Sequence, residues 1–133
     1  MKKATYKILI LSIFVIFASS CKKNDAGSLS GNWDYIYINE NTSGEKQVWN
    51  FDGSSQLTIK ITKQDTTILN TGTYGYSSKS LKKDELTITG IDNLTDGLYL
   101  VQKYKNGQLV IQRTKLSSGA EGGAFRWKEF TKQ

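Results

Sequence analysis

The chain has 133 residues and a formal charge of +6, with no histidine, no proline and one cysteine. Without histidine it lacks the most common general base near neutral pH and the most common transition-metal ligand. A single cysteine excludes an internal disulfide and a thiolate zinc cluster. These absences argue against an enzyme, a metal site and a resident cofactor.

Residues 1–20 have the layout of a secretory signal peptide. Three lysines lie near the start, and residues 8–17 form an almost unbroken apolar run. This run of about ten residues is well short of the roughly twenty that a membrane-spanning helix needs. The small residues 18–20 before Cys21 resemble a bacterial lipobox, in which the cysteine thiol receives a diacylglyceryl group and becomes the first mature residue. The alternative is an ordinary cleaved signal with a free cysteine nearby.

Lipidation of Cys21 predicts a membrane partner, because two acyl chains give stable attachment to a bilayer. Residues 21–30 are polar and show no periodicity, which indicates a flexible tether, and residues 31–133 are enough for one folded domain. We therefore expect a lipid-anchored protein of the cell envelope, attached at the outer membrane and facing the periplasm or the exterior.

Charge gives no reason to expect nucleic-acid binding. Three of the 18 basic residues precede Cys21, so the rest of the chain carries 15 basic against 12 acidic residues. The remaining lysines are spread singly or in pairs, whereas a nucleic-acid surface needs clustered basic residues with aromatic residues between them.

Beyond the tether, short segments with strand periodicity recur, and no segment has the pattern of an amphipathic helix. The clearest alternation sets Leu57, Ile59 and Ile61 against polar neighbours. Eight strands are predicted, over residues 32–39, 46–51, 56–63, 72–77, 85–89, 97–104, 108–114 and 124–131.

Turn residues indicate that neighbouring strands pair. Asn106 and Gly107 lie between two apolar segments and suit a type I′ turn, in which both central residues need positive φ. Asp52 and Gly53 mark a second turn, and residues 116–123 read as a flexible loop. The Asn-Gly turn predicts three opposed pairs: Lys105 with Gln108, Tyr104 with Leu109, and Gln102 with Ile111.

Eight sequential antiparallel strands without a helix can close into an up-and-down barrel or fold as a sandwich. A barrel removes the exposed strand edges that invite association between chains. The interior of an eight-stranded barrel is wide enough to be filled by side chains or to hold one small ligand. The sequence pattern does not decide whether side chains fill the interior or a ligand occupies it.

Leu29, Gly31 and Trp33 resemble the start of lipocalin-like domains, in which the tryptophan plugs one end of the barrel. The resemblance is to the small lipocalin-like lipoproteins of Bacteroidota, and it implies an all-β, eight-stranded antiparallel barrel with a membrane anchor and, in many members, no established activity. In larger lipocalins a basic residue packs over the tryptophan, and the resemblance implies that Arg113 or Arg126 could have this role. The helix that usually follows a lipocalin barrel is missing. Similar segments also include Trp49 with Phe51, Asp52 with Gly53, and residues 57–61, 72–74, 109–113 and 125–132.

Aromatic residues are the candidates for a ligand-binding site. They either line a cavity for a small apolar or amphipathic molecule or fill the core. The candidates are Trp33, Trp49, Phe51, Tyr74, Tyr76, Tyr104 and Trp127, with Phe125 open to the same two interpretations.

A second hypothesis is an envelope accessory protein that binds a protein partner through the barrel exterior. Tyr35 and Tyr37 share a face with Trp33, yet Ile36 and Ile38 on the opposite face are also apolar. Outward isoleucines would form a contact surface.

The acidic residues do not assemble into a recognisable catalytic or metal-binding motif. Glycoside cleavage needs two carboxyl groups at one site, and nothing in the sequence brings together a pair from Asp34, Glu40, Asp52, Asp84, Glu85 and Glu129. Asp92, Asn93 and Asp96 lack the glycine and distal glutamate of a known calcium loop, which leaves turn formation as their expected role.

Overall fold

The computed structural model describes residues 29–36, 44–121 and 127–133. The predicted signal peptide and Cys21 lie outside the described residues, as do Ile38, Phe125 and Arg126. Leu29 is fully buried, so the folded domain includes residues 29 and 30, which the sequence assigned to the tether.

The described residues form eight strands and no α-helix. Each strand pairs antiparallel with the next, and β8 pairs with β1, which closes the barrel. The predicted up-and-down barrel is therefore confirmed, and the sandwich is excluded. No helix within the described ranges is long and apolar enough to span a membrane. The strands are β1 (Gly31–Ile36), β2 (Glu45–Phe51), β3 (Gln56–Lys63), β4 (Thr66–Ser77), β5 (Glu85–Thr89), β6 (Gly97–Lys105), β7 (Gln108–Leu116) and β8 (Trp127–Lys132).

The core lies inside the barrel because each strand turns every second side chain inward. On β3, Leu57 and Ile59 are buried, whereas Lys60, which follows Ile59 and points to the other face of the strand, is exposed. Burying one such aliphatic side chain stabilises the fold by about 1.5–3 kcal/mol. The buried cluster consists of Leu29, Trp33, Trp49, Phe51, Leu57, Ile59, Tyr74, Leu86, Ile88, Tyr99, Val101, Leu109, Ile111 and Phe130.

Both predicted turns occur. Asn106 and Gly107 have φ values of 54° and 71°, the positive values that a type I′ turn requires. At the other turn, one carboxylate oxygen of Asp52 accepts hydrogen bonds from the backbone N–H groups of Ser54, Ser55 and Gln56. These bonds hold the pKa of Asp52 below its ordinary value; the bond from Ser54 has the largest effect.

Strand β4 begins at Thr66, six residues before the predicted start at residue 72. A two-residue turn at Gln64 and Asp65 joins β3 directly to β4, and Gln64 has a φ of 52°. Glutamine is an unusual residue for positive φ, so no turn signal marks this hairpin in the sequence.

The pairing of β6 with β7 departs from prediction at one residue. Tyr104 faces Leu109 and Lys105 faces Gln108, as expected, but Ile111 faces Val101 instead of Gln102. Gln102 is an extra residue between Val101 and Lys103, which makes a β-bulge and shifts the register by one. The prediction for Gln102 is therefore wrong.

Candidate functional site

The two ends of the barrel differ in how completely side chains fill them. We name them the Trp33 end, where β1 begins, and the Lys128 end, where β1 finishes and β8 begins. Because the strands alternate in direction, the β2–β3, β4–β5 and β6–β7 connections share the Trp33 end. The connections after β3 and β5 share the Lys128 end.

The Trp33 end is packed by aromatic rings. Trp33 is fully buried, and its indole Nε1–H donates to the carbonyl oxygen of Leu29 at 2.8 Å. Its ring lies 5.9 Å from that of Tyr104 between centroids. Phe51 and Tyr74 meet edge to face at 4.8 Å, a favourable geometry for two aromatic rings. The interior at this end is therefore core.

The basic side chain beside Trp33 is Lys132, whose ammonium nitrogen lies 5.4 Å from the ring centroid. Arg113 does not pack there, because β7 carries it to the Lys128 end of the barrel. The expectation for Arg113 is therefore wrong, and Arg126 lies outside the described residues.

Six of the seven candidate aromatic residues belong to the core or pack against it. Trp33, Trp49, Phe51 and Tyr74 are buried, and Tyr76 and Tyr104 are partly buried against the same cluster. Trp127 departs from the expectation: it is 54% exposed. Lys128 and Phe130 occupy the inward positions of β8, so the alternation of the strand turns Trp127 outward.

Tyr76 is tied to the connection after β4. Its hydroxyl donates to Asp84 Oδ2 at 2.6 Å. Burial raises the pKa of Tyr76 above its ordinary value, and the bond to Asp84 adds to that effect. Burial alone would also raise the pKa of Asp84, but the hydrogen bonds from Tyr76 and the backbone N–H of Lys79 hold it below its ordinary value.

Lys128 is the main functional candidate that the sequence did not single out. Its side chain points inward from β8 and the residue is only 9% exposed. The ammonium nitrogen lies 5.1 Å from the ring centroid of Tyr35 and 5.7 Å from that of Trp49. Aromatic faces at these distances attract a cation. The arrangement places a positive charge on the inner wall of the barrel.

A chain of hydrogen bonds runs along the inner face of β2 beside this cation. The indole Nε1–H of Trp49 donates to Gln47 Oε1 at 3.3 Å, and the amide of Gln47 donates to Glu45 Oε1 at 3.1 Å. Glu45 begins β2, so the chain extends from the core to the rim. The inner wall at this end is therefore polar as well as aromatic.

Several inward-facing side chains at the Lys128 end stay accessible to solvent. Ile61 and Ile68 face each other across β3 and β4; Ile61 is half-buried and Ile68 is exposed. Tyr35, Gln47 and Asn70 are also only partly buried. At the Trp33 end the inward residues Tyr76 and Tyr104 are also partly buried, but both rings pack against the core, whereas Ile68 at the Lys128 end is exposed.

The segment from Gly90 to Gly97 forms a fixed turn over another part of this end. Asp96 accepts hydrogen bonds from the backbone N–H groups of Gly90, Ile91 and Asp92. Asp92 Oδ1 accepts hydrogen bonds from the backbone N–H groups two and three residues after it, each at 2.8 Å. These bonds give Asp92 and Asp96 the turn-forming role expected from the sequence. No group of three or more acidic or cysteine side chains in the described ranges could hold a metal ion.

Arg113 and Tyr99 hold this turn by hydrogen bonds to its backbone carbonyl oxygens. The guanidinium Nη1 of Arg113 donates to the carbonyl oxygens of Leu94, at 2.5 Å, and Asn93, at 3.3 Å. The Tyr99 hydroxyl donates to the carbonyl oxygen of Thr95 at 2.5 Å. Burial raises the pKa of Tyr99 above its ordinary value even though Arg113 opposes the shift. The turn is thus held to the barrel wall by two buried side chains. The accessible inward residues described above lie on another part of the wall, on β1 to β4.

A groove of about 420 Å³ also lies on the outer face of β1 to β4. Its walls include Lys46, Val48, Lys60 and Leu69. Lys46 pairs with Asp34 at 3.4 Å, and both side chains remain partly exposed. Exposed ion pairs of this kind contribute little energy, so the groove offers weaker anchoring than the buried cation inside the barrel.

Comparison of the chain with protein-family models, with curated proteins and with solved structures finds no significant match.

Proposed function

We propose that the protein is a lipid-anchored, non-catalytic module that binds a small amphipathic molecule with an anionic head group at the Lys128 end of its barrel. One observation carries the proposal: the ammonium of Lys128 lies within 6 Å of the rings of both Tyr35 and Trp49, on an inner wall that stays partly accessible. Concave sites that bind small molecules commonly combine apolar and aromatic walls with a few polar groups.

The charge of Lys128 favours an acidic head group. An anionic group that reaches the partly accessible inner wall is attracted by the ammonium of Lys128. Their attraction strengthens where the surroundings are less polarisable than water. The half-buried Ile61 and the exposed Ile68 offer apolar surface for a tail. A carboxylate, sulfate or phosphate on a short hydrocarbon chain combines both features.

Membrane attachment through Cys21 belongs to the same proposal. It is supported by the apolar run and small residues before Cys21. The lipocalin-like resemblance of the sequence is compatible with such a role. Cys21→Ser should move the folded domain from the membrane fraction to the soluble fraction without unfolding it. A variant that stayed in the membrane fraction would contradict the anchor but leave the binding site untested, so the two parts are separable.

The binding proposal is tested by titrating the soluble Cys21→Ser chain with dodecanoate and with dodecanol while recording tryptophan fluorescence. Trp49 lies beside Lys128 and should report both ligands. A hydrogen bond to a charged group contributes about 1.5–3 kcal/mol, so Lys128→Met should weaken dodecanoate binding by at least about tenfold. Dodecanol binding should change little.

Lys60→Met is the matched control, because it removes the same charge from the outer face of β3. It should leave binding of both molecules unchanged. Loss of binding in Lys60→Met alone would move the site to the outer groove. Equal affinity of the parent and Lys128→Met for dodecanoate would refute the role of Lys128.

A protein-interaction role is the second candidate, favoured by the barrel exterior. Ile36 and Trp127 are exposed on the outer faces of the neighbouring strands β1 and β8. Exposed apolar groups on adjacent strands are typical of a contact surface. A photo-cross-linking residue at position 127 should then give a discrete adduct in intact cells, whereas one at the exposed Leu81 should not. The absence of an adduct at 127 would count against this role.

A further inference from the structure

The connection between β4 and β5 presents an exposed leucine among lysines. Residues 79–83 read KSLKK, and all five are exposed to solvent. We name them the KSLKK loop. Leu81 is 98% exposed and lies at the middle of a seven-residue connection, whereas the β2–β3 and β6–β7 connections at the same end have four and two residues. Leu81 therefore lies at the tip of the longest connection of the Trp33 end and adds nothing to the barrel core.

Contacts with the barrel hold the start of this loop in place. The backbone N–H of Lys79 donates to Asp84 Oδ1 at 3.0 Å. The ammonium of the same lysine lies 3.5 Å from Glu85 Oε2, at the start of β5. Leu81 and Lys82 follow and remain exposed. The loop is therefore held at the end of the barrel with its tip in solvent.

The two ends of the barrel differ in charge. Within the described connections, the Trp33 end carries the three lysines of the KSLKK loop against Asp52 and Asp84. The terminal residues of the strands do not reverse this difference, because they add two lysines and one glutamate at the Trp33 end and one of each at the Lys128 end. An anionic surface therefore attracts the Trp33 end more strongly than the Lys128 end. The connections described at the Lys128 end carry no lysine or arginine and four acidic residues: Asp65, Asp92, Asp96 and Glu121.

The chain enters the barrel at the same end as this loop. The indole of Trp33 donates to the carbonyl oxygen of Leu29, so the residues before Leu29 approach from the Trp33 end. The eight residues from Cys21 to Leu29 span at most about 28 Å. A bilayer that holds an acyl group on Cys21 is therefore kept close to the KSLKK loop.

We propose that the KSLKK loop binds the surface of an anionic phospholipid bilayer. Leu81 enters the interface between head groups and acyl chains, and the three lysines lie against the phosphate groups. Basic and aliphatic side chains on one surface provide both the attraction and the burial that such binding needs. The hydrogen bond from Lys83 to Gln102 does not compete, because the glutamine side chain is neutral. The exposed leucine favours a bilayer over a nucleic acid, which offers phosphates but no apolar interior.

This contact orients the barrel and does not replace the anchor. One leucine and three lysines give an affinity at most comparable with that of one myristoyl chain, which binds membranes reversibly. The Cys21→Ser chain is therefore still released when membranes are washed. The contact requires neither an acyl group on Cys21 nor a ligand at the Lys128 end, so it can be tested without either.

The test is sedimentation of the Cys21→Ser chain with lipid vesicles at low salt. Vesicles of phosphatidylglycerol mixed with phosphatidylcholine should bind the chain several-fold more strongly than vesicles of phosphatidylcholine alone, and added salt should reduce the difference. Leu81→Ser should weaken binding to the mixed vesicles about tenfold, because the burial of one leucine side chain is lost. Leu94→Ser is the matched control, since it changes an exposed leucine at the Lys128 end and should leave binding unchanged.

Three lysine variants test the charge and its position. Lys82→Gln should weaken vesicle binding about fivefold, whereas Lys60→Gln removes the same charge from the outer face of β3 and should have a smaller effect. Lys128→Met should leave vesicle binding unchanged, which separates this contact from the proposed ligand site. The inference is overturned if the parent chain binds both kinds of vesicle equally or binds neither. It is also overturned if Leu81→Ser binds as well as Leu94→Ser, or if Lys60→Gln or Lys128→Met weakens binding as much as Lys82→Gln.

Discussion

Two glycines of β4 give a sharp test of how closely the barrel wall approaches the turn after β5. Gly72 faces inward opposite Leu57, and a Cβ atom there would lie 2.5 Å from the carbonyl oxygen of Thr89 and 2.9 Å from Ile91 Cδ1. At Gly75 on the outer face, a Cβ atom would meet nothing within 4 Å. Neither glycine has positive φ, so backbone strain does not distinguish Gly72→Ala from Gly75→Ala.

The contact with the Thr89 carbonyl is backbone, which cannot rotate away as a side chain would. Forcing extra volume into such a site costs about 1–3 kcal/mol. Alanine also stabilises a compatible site by about 0.4–1 kcal/mol, because it restricts the unfolded chain. Gly75→Ala should therefore raise the free energy of unfolding, and Gly72→Ala should lower it. The effect on the unfolded chain is common to both variants and cancels, so they should differ by about 1–3 kcal/mol.

Guanidinium unfolding of the two variants in the Cys21→Ser chain, followed by tryptophan fluorescence, measures this difference. Equal slopes with shifted midpoints would show a change in stability alone. If Gly72→Ala were as stable as Gly75→Ala, the close approach of β4 to Thr89 would be refuted.

Further predictions concern single contacts. Tyr76→Phe removes the bond to Asp84 and should lower the free energy of unfolding by about 1.5 kcal/mol at neutral pH, measured by the same assay. The pKa of Asp84 is lowered in the folded protein, so its contribution is present above the ordinary carboxyl pKa and is lost as the pH falls through the lower folded value. Unfolding midpoints recorded from neutral to acidic pH should therefore fall less steeply in Tyr76→Phe than in the parent. Trp127→Ser should change the free energy of unfolding by less than about 0.5 kcal/mol, since the side chain faces outward. Trp49→Ala should cost about 3–5 kcal/mol, and a comparable loss in Trp127→Ser would contradict the assigned face.

Local signals were sufficient to predict most of the fold. The period-two pattern around Leu57 and Ile59 follows from strand geometry and needs no knowledge of distant contacts. The Asn106–Gly107 turn likewise depends on the φ values of two residues. Turns and strands alone left both a barrel and a sandwich possible, and the lipocalin-like resemblance of Leu29, Gly31 and Trp33 favoured the closed barrel.

What could not be predicted depends on longer-range geometry. A bulge adds one residue without any required residue type, so nothing in the sequence marked Gln102 as the place where pairing shifts. On β8 the two faces are chemically similar: Trp127 and Glu129 lie on one, and Lys128 and Phe130 on the other. Hydrophobicity favoured Trp127 as the inward residue. Only pairing with β1 and β7 shows that Lys128 faces the interior.

The position of Leu29 constrains how a lipid anchor would orient the barrel. Leu29 lies under Trp33, so the chain leaves the barrel at the Trp33 end. With an acyl group on Cys21, the eight residues to Leu29 span at most about 28 Å. The Trp33 end should therefore lie nearer the bilayer than the Lys128 end. A fluorophore attached through Leu81→Cys, at the Trp33 end, should then be quenched more by a bilayer-embedded quencher than one attached through Leu94→Cys, at the Lys128 end. Both side chains are exposed. Equal quenching would show that the tether lets the barrel turn freely, and stronger quenching at residue 94 would show that the Lys128 end faces the bilayer instead.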